Sequence, residues 1–202
     1  MDVLNRLTNA FKCLPGIGPK SAQRMVYHLL QHQRHKGLDL AASLQEAMQN
    51  IRHCNRCNNF TEKEFCSLCQ DSSRDPSFLC VVENPSDVIA IEQSNAFKGK
   101  YFVLMGKISP LDGLGPEDIP LTSLQQLVAT EATKELIIAL NPSVEGQTTI
   151  HFIKELFRGQ SVKISQLAHG IPSGGELEYL DGHTIGSALR NRLDLPYEET
   201  ES

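Results

Sequence analysis

Cys54, Cys57, Cys66 and Cys69 form two Cys-x2-Cys pairs separated by eight residues. Each pair can chelate one ion, and two pairs complete the tetrahedron that Zn²⁺ takes. All four positions are filled by protein, which leaves none for water or substrate, so a site of this kind is structural. Residues 54–77 carry few apolar side chains and end in Gln70-Asp71-Ser72-Ser73-Arg74-Asp75-Pro76, which reads as a linker. Such a stretch cannot build its own core. The roughly 10–16 kcal/mol of metal ligation available to small zinc modules would make good that deficit. Disulfides are the competing reading. Met1-Asp2-Val3-Leu4-Asn5-Arg6 lacks a basic stub followed by an apolar run, so no secretory leader is expected, and the cluster reads as one structural Zn²⁺ per chain. His53 adjoins the quartet and is expected to lie outside it. Cys13 and Cys80 sit among apolar neighbours and are expected to be small core residues.

The quartet separates two unlike regions. Residues 1–53 read as three helices, with apolar faces at Val3/Leu4, Leu7, Ala10/Phe11 and Leu14, then Ala22, Met25/Val26 and Leu29/Leu30, then Leu40/Ala41, Leu44, Ala47/Met48 and Ile51. Gly37 is expected to break the second helix from the third. None is long enough to stand alone, so the three are expected to pack as a small bundle.

Between the first two helices lies Leu14-Pro15-Gly16-Ile17-Gly18-Pro19-Lys20-Ser21. Gly16 and Gly18 permit positive φ and close backbone approach. Pro19 suits the first position of a helix. Lys20 and Arg24, four apart, share a helical face. Exposed amides, a helix N-terminus and two cations together bind phosphate. Contacts of that kind carry no base information, so binding is expected to be independent of sequence and sensitive to salt. A P-loop is excluded, because Pro19 splits the Gly-Lys pair, the four-residue spacer is missing and a helix precedes the turn.

Charge supports the division. Residues 1–53 hold seven cations against three acids, a net of +4. The whole 202-residue chain carries −5, so the remainder carries −9. A basic head on an acidic body suggests that the head meets a polyanion and the body meets proteins. No run of about 18 apolar residues occurs, so no membrane span is expected.

From Leu79 onward the pattern changes. Leu79–Val82, Tyr101–Leu104, Leu136–Leu140 and Val162–Ile164 are short apolar runs of buried-strand type, with helical stretches near 85–93, 121–132 and 147–157. Strands alternating with helices indicate a parallel sheet built of βαβ units. Ser109–Pro120 is a loop rich in Pro and Gly that carries acids. The last thirty residues are too few to form a core and must dock on something. Glu83 follows the first strand, Asp87 comes four residues later, and Glu145 follows the third strand. Carboxylates at the C-terminal ends of parallel strands could hold Mg²⁺ for phosphoryl transfer, or they could cap helices. Gly174-Gly175-Glu176-Leu177-Glu178-Tyr179-Leu180-Asp181 has a Walker-B flavour, but without a P-loop it supports no ATPase reading.

In this order the parts resemble the bacterial RecR family of recombination mediators over nearly the whole chain. The resemblance is carried by Leu14–Arg24, the four cysteines, Val81-Val82-Glu83-Asn84-Pro85-Ser86-Asp87, Asn141-Pro142-Ser143-Val144-Glu145-Gly146, Ala168-His169-Gly170-Ile171-Pro172 and Gly174-Gly175-Glu176-Leu177. It implies a multi-part α/β chain: a helix-hairpin-helix region at 1–53, a four-cysteine zinc finger and linker at 54–77, a Toprim-like domain at 78–172 and a C-terminal docking segment at 173–202. It further implies a homo-oligomeric DNA clamp, dimer or tetrameric ring, in the cytoplasm and associated with the nucleoid. Such a clamp works with RecO and RecF to load RecA onto gapped or single-stranded DNA. Gly16, Gly18, Lys20 and Arg24 would contact DNA, and Glu83, Asp87 and Glu145 would mark a surface for a basic partner such as RecO. Catalytic Toprim enzymes carry an Asp-x-Asp pair after the third strand. Asn141 and Ser143 stand in those positions here, so a non-enzymatic protein is expected. The alternative is a Toprim nuclease or topoisomerase-like enzyme using Glu83 and Glu145 with Mg²⁺. A pure protein adaptor that never touches DNA is a third class, disfavoured by the basic head.

Overall fold

The computed structural model describes residues 2–168, 170–172 and 174–192. The chain divides into two compact units, Met1–Arg52 and His53–Ser202.

The first unit holds α1 (Val3–Phe11), α2 (Pro19–His32) and α3 (Arg34–Asn50). Both α1 and α3 pack on α2. The expected closed bundle does not form in full: only Ala22 and Val26, both on α2, are buried. The break between α2 and α3 falls at Gln33, whose backbone leaves the helical region at φ −143°, ψ 46°. Gly37, expected to be the breaker, lies inside α3, where a Cβ would sit 3.8 Å from the Cβ of Leu29. That is an ordinary contact distance, so Gly37 neither ends the helix nor is required by its packing. Cys13 is exposed, against expectation, because the turn carrying it leaves the packed faces of both helices.

In the second unit, β1 (Arg52–His53) and β2 (Phe60–Thr61) form a short ribbon, followed by α4 (Ser67–Gln70). Next come β3 (Asp75–Val82), α5 (Pro85–Ser94), β4 (Gly99–Val103), α6 (Leu121–Thr130), β5 (Glu135–Ala139), α7 (Val144–Leu156), β6 (Lys163–Gln166) and α8 (Gly182–Arg190). The strands β3 to β6 form a parallel sheet in the order β4-β3-β5-β6. Alternation assigns the two faces. Leu79, Val81, Phe102, Leu136 and Ile138 point to a core completed by Leu124 and Leu127 of α6 and by Ile150 and Ile153 of α7. Cys80, Val82, Tyr101 and Val103 point to the other face, covered by Val88 of α5 and by Leu68 of α4. Burial pushes the Cys80 thiol up to about 12, as suits an inert core residue.

Between β4 and α6 the chain crosses residues 105–120, where two single-turn 3₁₀ segments, Pro110–Asp112 and Pro116–Asp118, replace regular structure. The loop is anchored at its base, where the amide of Ile108 donates to Thr149 Oγ1 at 2.9 Å. The acids Asp112 and Asp118 accept hydrogen bonds within the loop, from Ser109 Oγ and from the amide of Gly115. The helix α8 buries none of its residues. His169, part of the family resemblance, lies outside the described residues, as do Ser173 and residues 193–202 of the C-terminal segment.

Candidate nucleic-acid interface and metal centre

The four cysteines converge. Cys54 and Cys57 come from the turn between β1 and β2, and Cys66 and Cys69 frame the start of α4. Their sulfurs all lie within 4.8 Å of one another, with Cys57 to Cys66 at 3.5 Å and Cys54 to Cys69 at 3.8 Å. A tetrahedron with Zn–S bonds of about 2.3 Å has edges of about 3.8 Å, so the donor set fits Zn²⁺. The thiols are crowded enough to perturb one another. Cys66, hydrogen-bonded by Cys57 and then by Cys69, is pulled down, while the Cys57 thiol is pushed up by its bond to Cys66. A divalent cation relieves that competition by favouring thiolate at all four sulfurs. The amide of Cys66 also donates to the Cys54 sulfur at 3.3 Å. His53 lies outside the quartet, its Nδ1 3.1 Å from the Asn58 carbonyl oxygen.

Sequence reasoning missed how the finger is fastened to the sheet. The amide of Val103 on edge strand β4 donates to the Cys57 carbonyl at 2.9 Å, and Asn58 Nδ2 donates back to the Val103 carbonyl at 2.8 Å. Asn58 adopts φ 62° to make that turn. The buried Lys100 ammonium donates to the carbonyls of Leu68, Cys69 and Asp71 at 3.0, 2.9 and 2.7 Å. It thereby satisfies carbonyls that α4 leaves unpaired at its C-terminal end. Arg56 reaches the Cys69 sulfur at 3.6 Å and forks onto both carboxylate oxygens of Glu131. Arg74 forks onto Glu92 and donates to the Gly99 carbonyl. These partners lie 13 to 75 residues apart in sequence, with no local periodicity to announce them.

The hairpin turn has the expected backbone geometry except at one residue. Gly16 takes φ +76° and has open space where a Cβ would sit. Gly18 instead caps α2 in an extended conformation, φ −82°, ψ 172°, that any residue can adopt. Its value lies in the open space beside it. The first intrahelical bond of α2 runs from the Ala22 amide to the Gly18 carbonyl, and no side chain caps the turn. The amides of Lys20 and Ser21 are thus left for an external acceptor. Lys20 and Arg24 are both exposed and line one open groove. Between Asp2 and Asp39 the chain carries no acidic residue.

Two of the three acids of the sheet have other occupations. Glu83 follows β3, and Asn141–Glu145 follows β5. These strands are neighbours whose outgoing connections run in opposite directions, so the acids flank the crevice where α/β sheets bind ligands. Asp87 accepts from the Asn84 amide at 2.8 Å and so caps α5. Ser143 Oγ accepts from the Gly146 amide at 3.1 Å and caps α7. Gly146 is required there, since a Cβ would meet the Asn141 carbonyl oxygen at 2.0 Å. Glu145 pairs with Lys107 at 3.8 Å, and the Ser143 hydroxyl, with lesser help from Lys107, holds its carboxyl below the usual range. Among the described residues, the cysteine quartet is the only cluster of three or more His, Cys, Asp or Glu side chains at metal-binding distance.

Comparison with known proteins follows the same divisions. Residues 4–48 match the RecR helix-hairpin-helix model, 51–71 the RecR four-cysteine zinc finger domain, 77–168 the Toprim domain and 170–193 the RecR C-terminal model. The recombination protein RecR of Legionella pneumophila subsp. pneumophila strain Philadelphia 1 is 67% identical over 192 residues, which is 95% of this chain and 96% of the relative. The RecR of Legionella pneumophila strain Corby is 67% identical over 95% of this chain and 98% of its own length. With its finger, hairpin and sheet matched in order, the chain belongs to the RecR family of recombination proteins and carries one structural zinc site.

Proposed function

We propose that the protein is a non-enzymatic recombination mediator in DNA repair: a homo-oligomeric clamp on DNA that works with RecO and RecF to load RecA onto gapped or single-stranded DNA. The observation that carries the DNA part is the uncapped N-terminus of α2 beside the Gly16 turn, with Lys20 and Arg24 on its exposed face. One such hairpin neutralises few phosphates, so a single copy binds weakly at physiological salt. Several copies on one assembly multiply that binding through avidity.

An assembly also gives the bare helices a partner. Val3 on α1 and Leu38 and Met48 on α3 are 74%, 73% and 77% exposed, and α8 leaves Leu189 exposed as well. Further copies of the chain are the economical occupants of these exposed side chains. The four parts retain their assigned roles: 1–53 for DNA, 54–77 for zinc, 78–172 for partners through Glu83, Asp87 and Glu145, and 173–202 for docking. No described helix is long and apolar enough to cross a membrane, and a DNA-bound protein of this kind belongs in the cytoplasm at the nucleoid.

DNA binding by Lys20→Ala/Arg24→Ala at several salt concentrations tests the proposal. The expected result is weaker binding and a shallower salt slope, and unchanged affinity and slope in a folded variant would exclude the hairpin. Incubation with supercoiled DNA and Mg²⁺ or Mn²⁺ tests the non-enzymatic part, since cleavage or relaxation abolished by Glu83→Ala would make the protein an enzyme.

A further inference from the structure

The groove on α2 continues well past the two cations. It is a shallow, open depression of about 440 Å³ bordered by Lys20, Gln23, Arg24, Tyr27, His28, Gln31 and His32. These positions fall on one broad helical face and span about 18 Å along the axis. The first turn is cationic and the following turns are aromatic and amide-bearing. Tyr27 is 40% exposed, and Gln23 Nε2 donates to its hydroxyl at 3.3 Å, which steadies the ring. The rings of His28 and His32 lie 5.5 Å apart, tilted by 53°.

Phosphate contacts alone do not distinguish a duplex from a single strand. Exposed rings beside cations do, because an unpaired base offers a free π-face and a paired, stacked base does not. We infer that this face of α2 is a platform for single-stranded DNA, on which Lys20 and Arg24 hold phosphates while Tyr27 and the His28–His32 pair stack bases. This inference rests on the DNA-binding reading of the hairpin and adds a preference to it. The hairpin takes backbone from any DNA, and the rest of α2 selects the strand exposed at a gap.

The test uses the full chain, an oligo-dT strand and a duplex of equal length, read by fluorescence anisotropy. Tyr27→Ala loses about tenfold on the single strand, the scale of one stacked base, and less than twofold on the duplex. Its salt slope stays at the wild-type value. Tyr27→Phe retains the preference, and His28→Ala/His32→Ala reduces it even if Tyr27→Ala folds poorly. A 2-aminopurine placed in the strand changes its fluorescence on binding to wild type, and Tyr27→Ala diminishes that change. Lys20→Ala/Arg24→Ala weakens binding to both substrates, and if it does not, the underlying hairpin reading fails separately. A single-strand-to-duplex ratio unchanged in folded Tyr27→Ala and in His28→Ala/His32→Ala overturns the platform. If those variants instead lose oligomeric mass, the face belongs to a protein contact and the platform is equally overturned.

Discussion

The two units of this chain are stabilised in opposite ways. In the second unit the parallel sheet is covered on both faces, and the buried cations Lys100 and Arg74 have several oxygen partners each. The helical unit buries two side chains and exposes apolar residues on all three helices. The sheet carries its stabilising contacts within its own unit, and the helices of the first unit leave most of their apolar side chains partly or fully open.

Zinc removal is the sharpest way to break the contrast. Chelation, or Cys57→Ser with Cys66→Ser, should abolish stoichiometric metal and unfold the finger, given the roughly 10–16 kcal/mol that ligation supplies to such modules. Hydrogen exchange should then show the Val103 amide opening together with residues 54–70, while α1–α3 keep their protection. Next comes a matched pair. Leu136→Ala, fully buried in β5, should cost about 2–5 kcal/mol in denaturant unfolding. Leu44→Ala, on the exposed face of α3, should change folding by less than about 0.5 kcal/mol but lower the assembled fraction in sedimentation. Equal effects in the two assays would erase the distinction between the units.

Lys100→Met leaves three carbonyls without their donor and should cost about 3 kcal/mol. Part of that loss should appear as faster zinc release to a chelator. Gly16→Ala forces an L side chain to φ +76° and should cost about 1 kcal/mol, with a matching loss of DNA affinity.

The smallest effect is with pH. Burial opposes ionisation of Glu92, yet Arg74 and the Tyr101 hydroxyl outweigh it and hold the carboxyl below its ordinary value. A depressed folded pKa stabilises above the unfolded value and is lost as pH falls through the folded one. Thermal melts should therefore show an acid-side decline that Glu92→Gln makes shallower.

Features with a short-range signature are legible in the sequence. The quartet is readable from spacing, the strands from apolar runs, and the hairpin from Pro and Gly between two amphipathic faces. Sequence misplaces the interhelical break because Gly37 is conspicuous and Gln33 is not. The break is visible only in the backbone of Gln33, which leaves the helical region while Gly37 stays inside α3. Cys13 misleads for a related reason, since apolar neighbours in sequence do not bury a residue in a turn. Arg56, Lys100, Glu131 and Lys107 give no signal, because each acts across the fold rather than along the chain.

The paired hydrogen bonds between Val103 and the Cys57–Asn58 turn also occupy one end of a sheet edge. Strand β4 ends the sheet, and an open strand end-row is a template for any other extended chain. The metal, by holding that turn in place, keeps the Val103 end of the row occupied. Metal starvation would therefore leave this protein adhesive as well as locally unfolded, free to add strands to its sheet, and zinc in this fold guards solubility as much as shape.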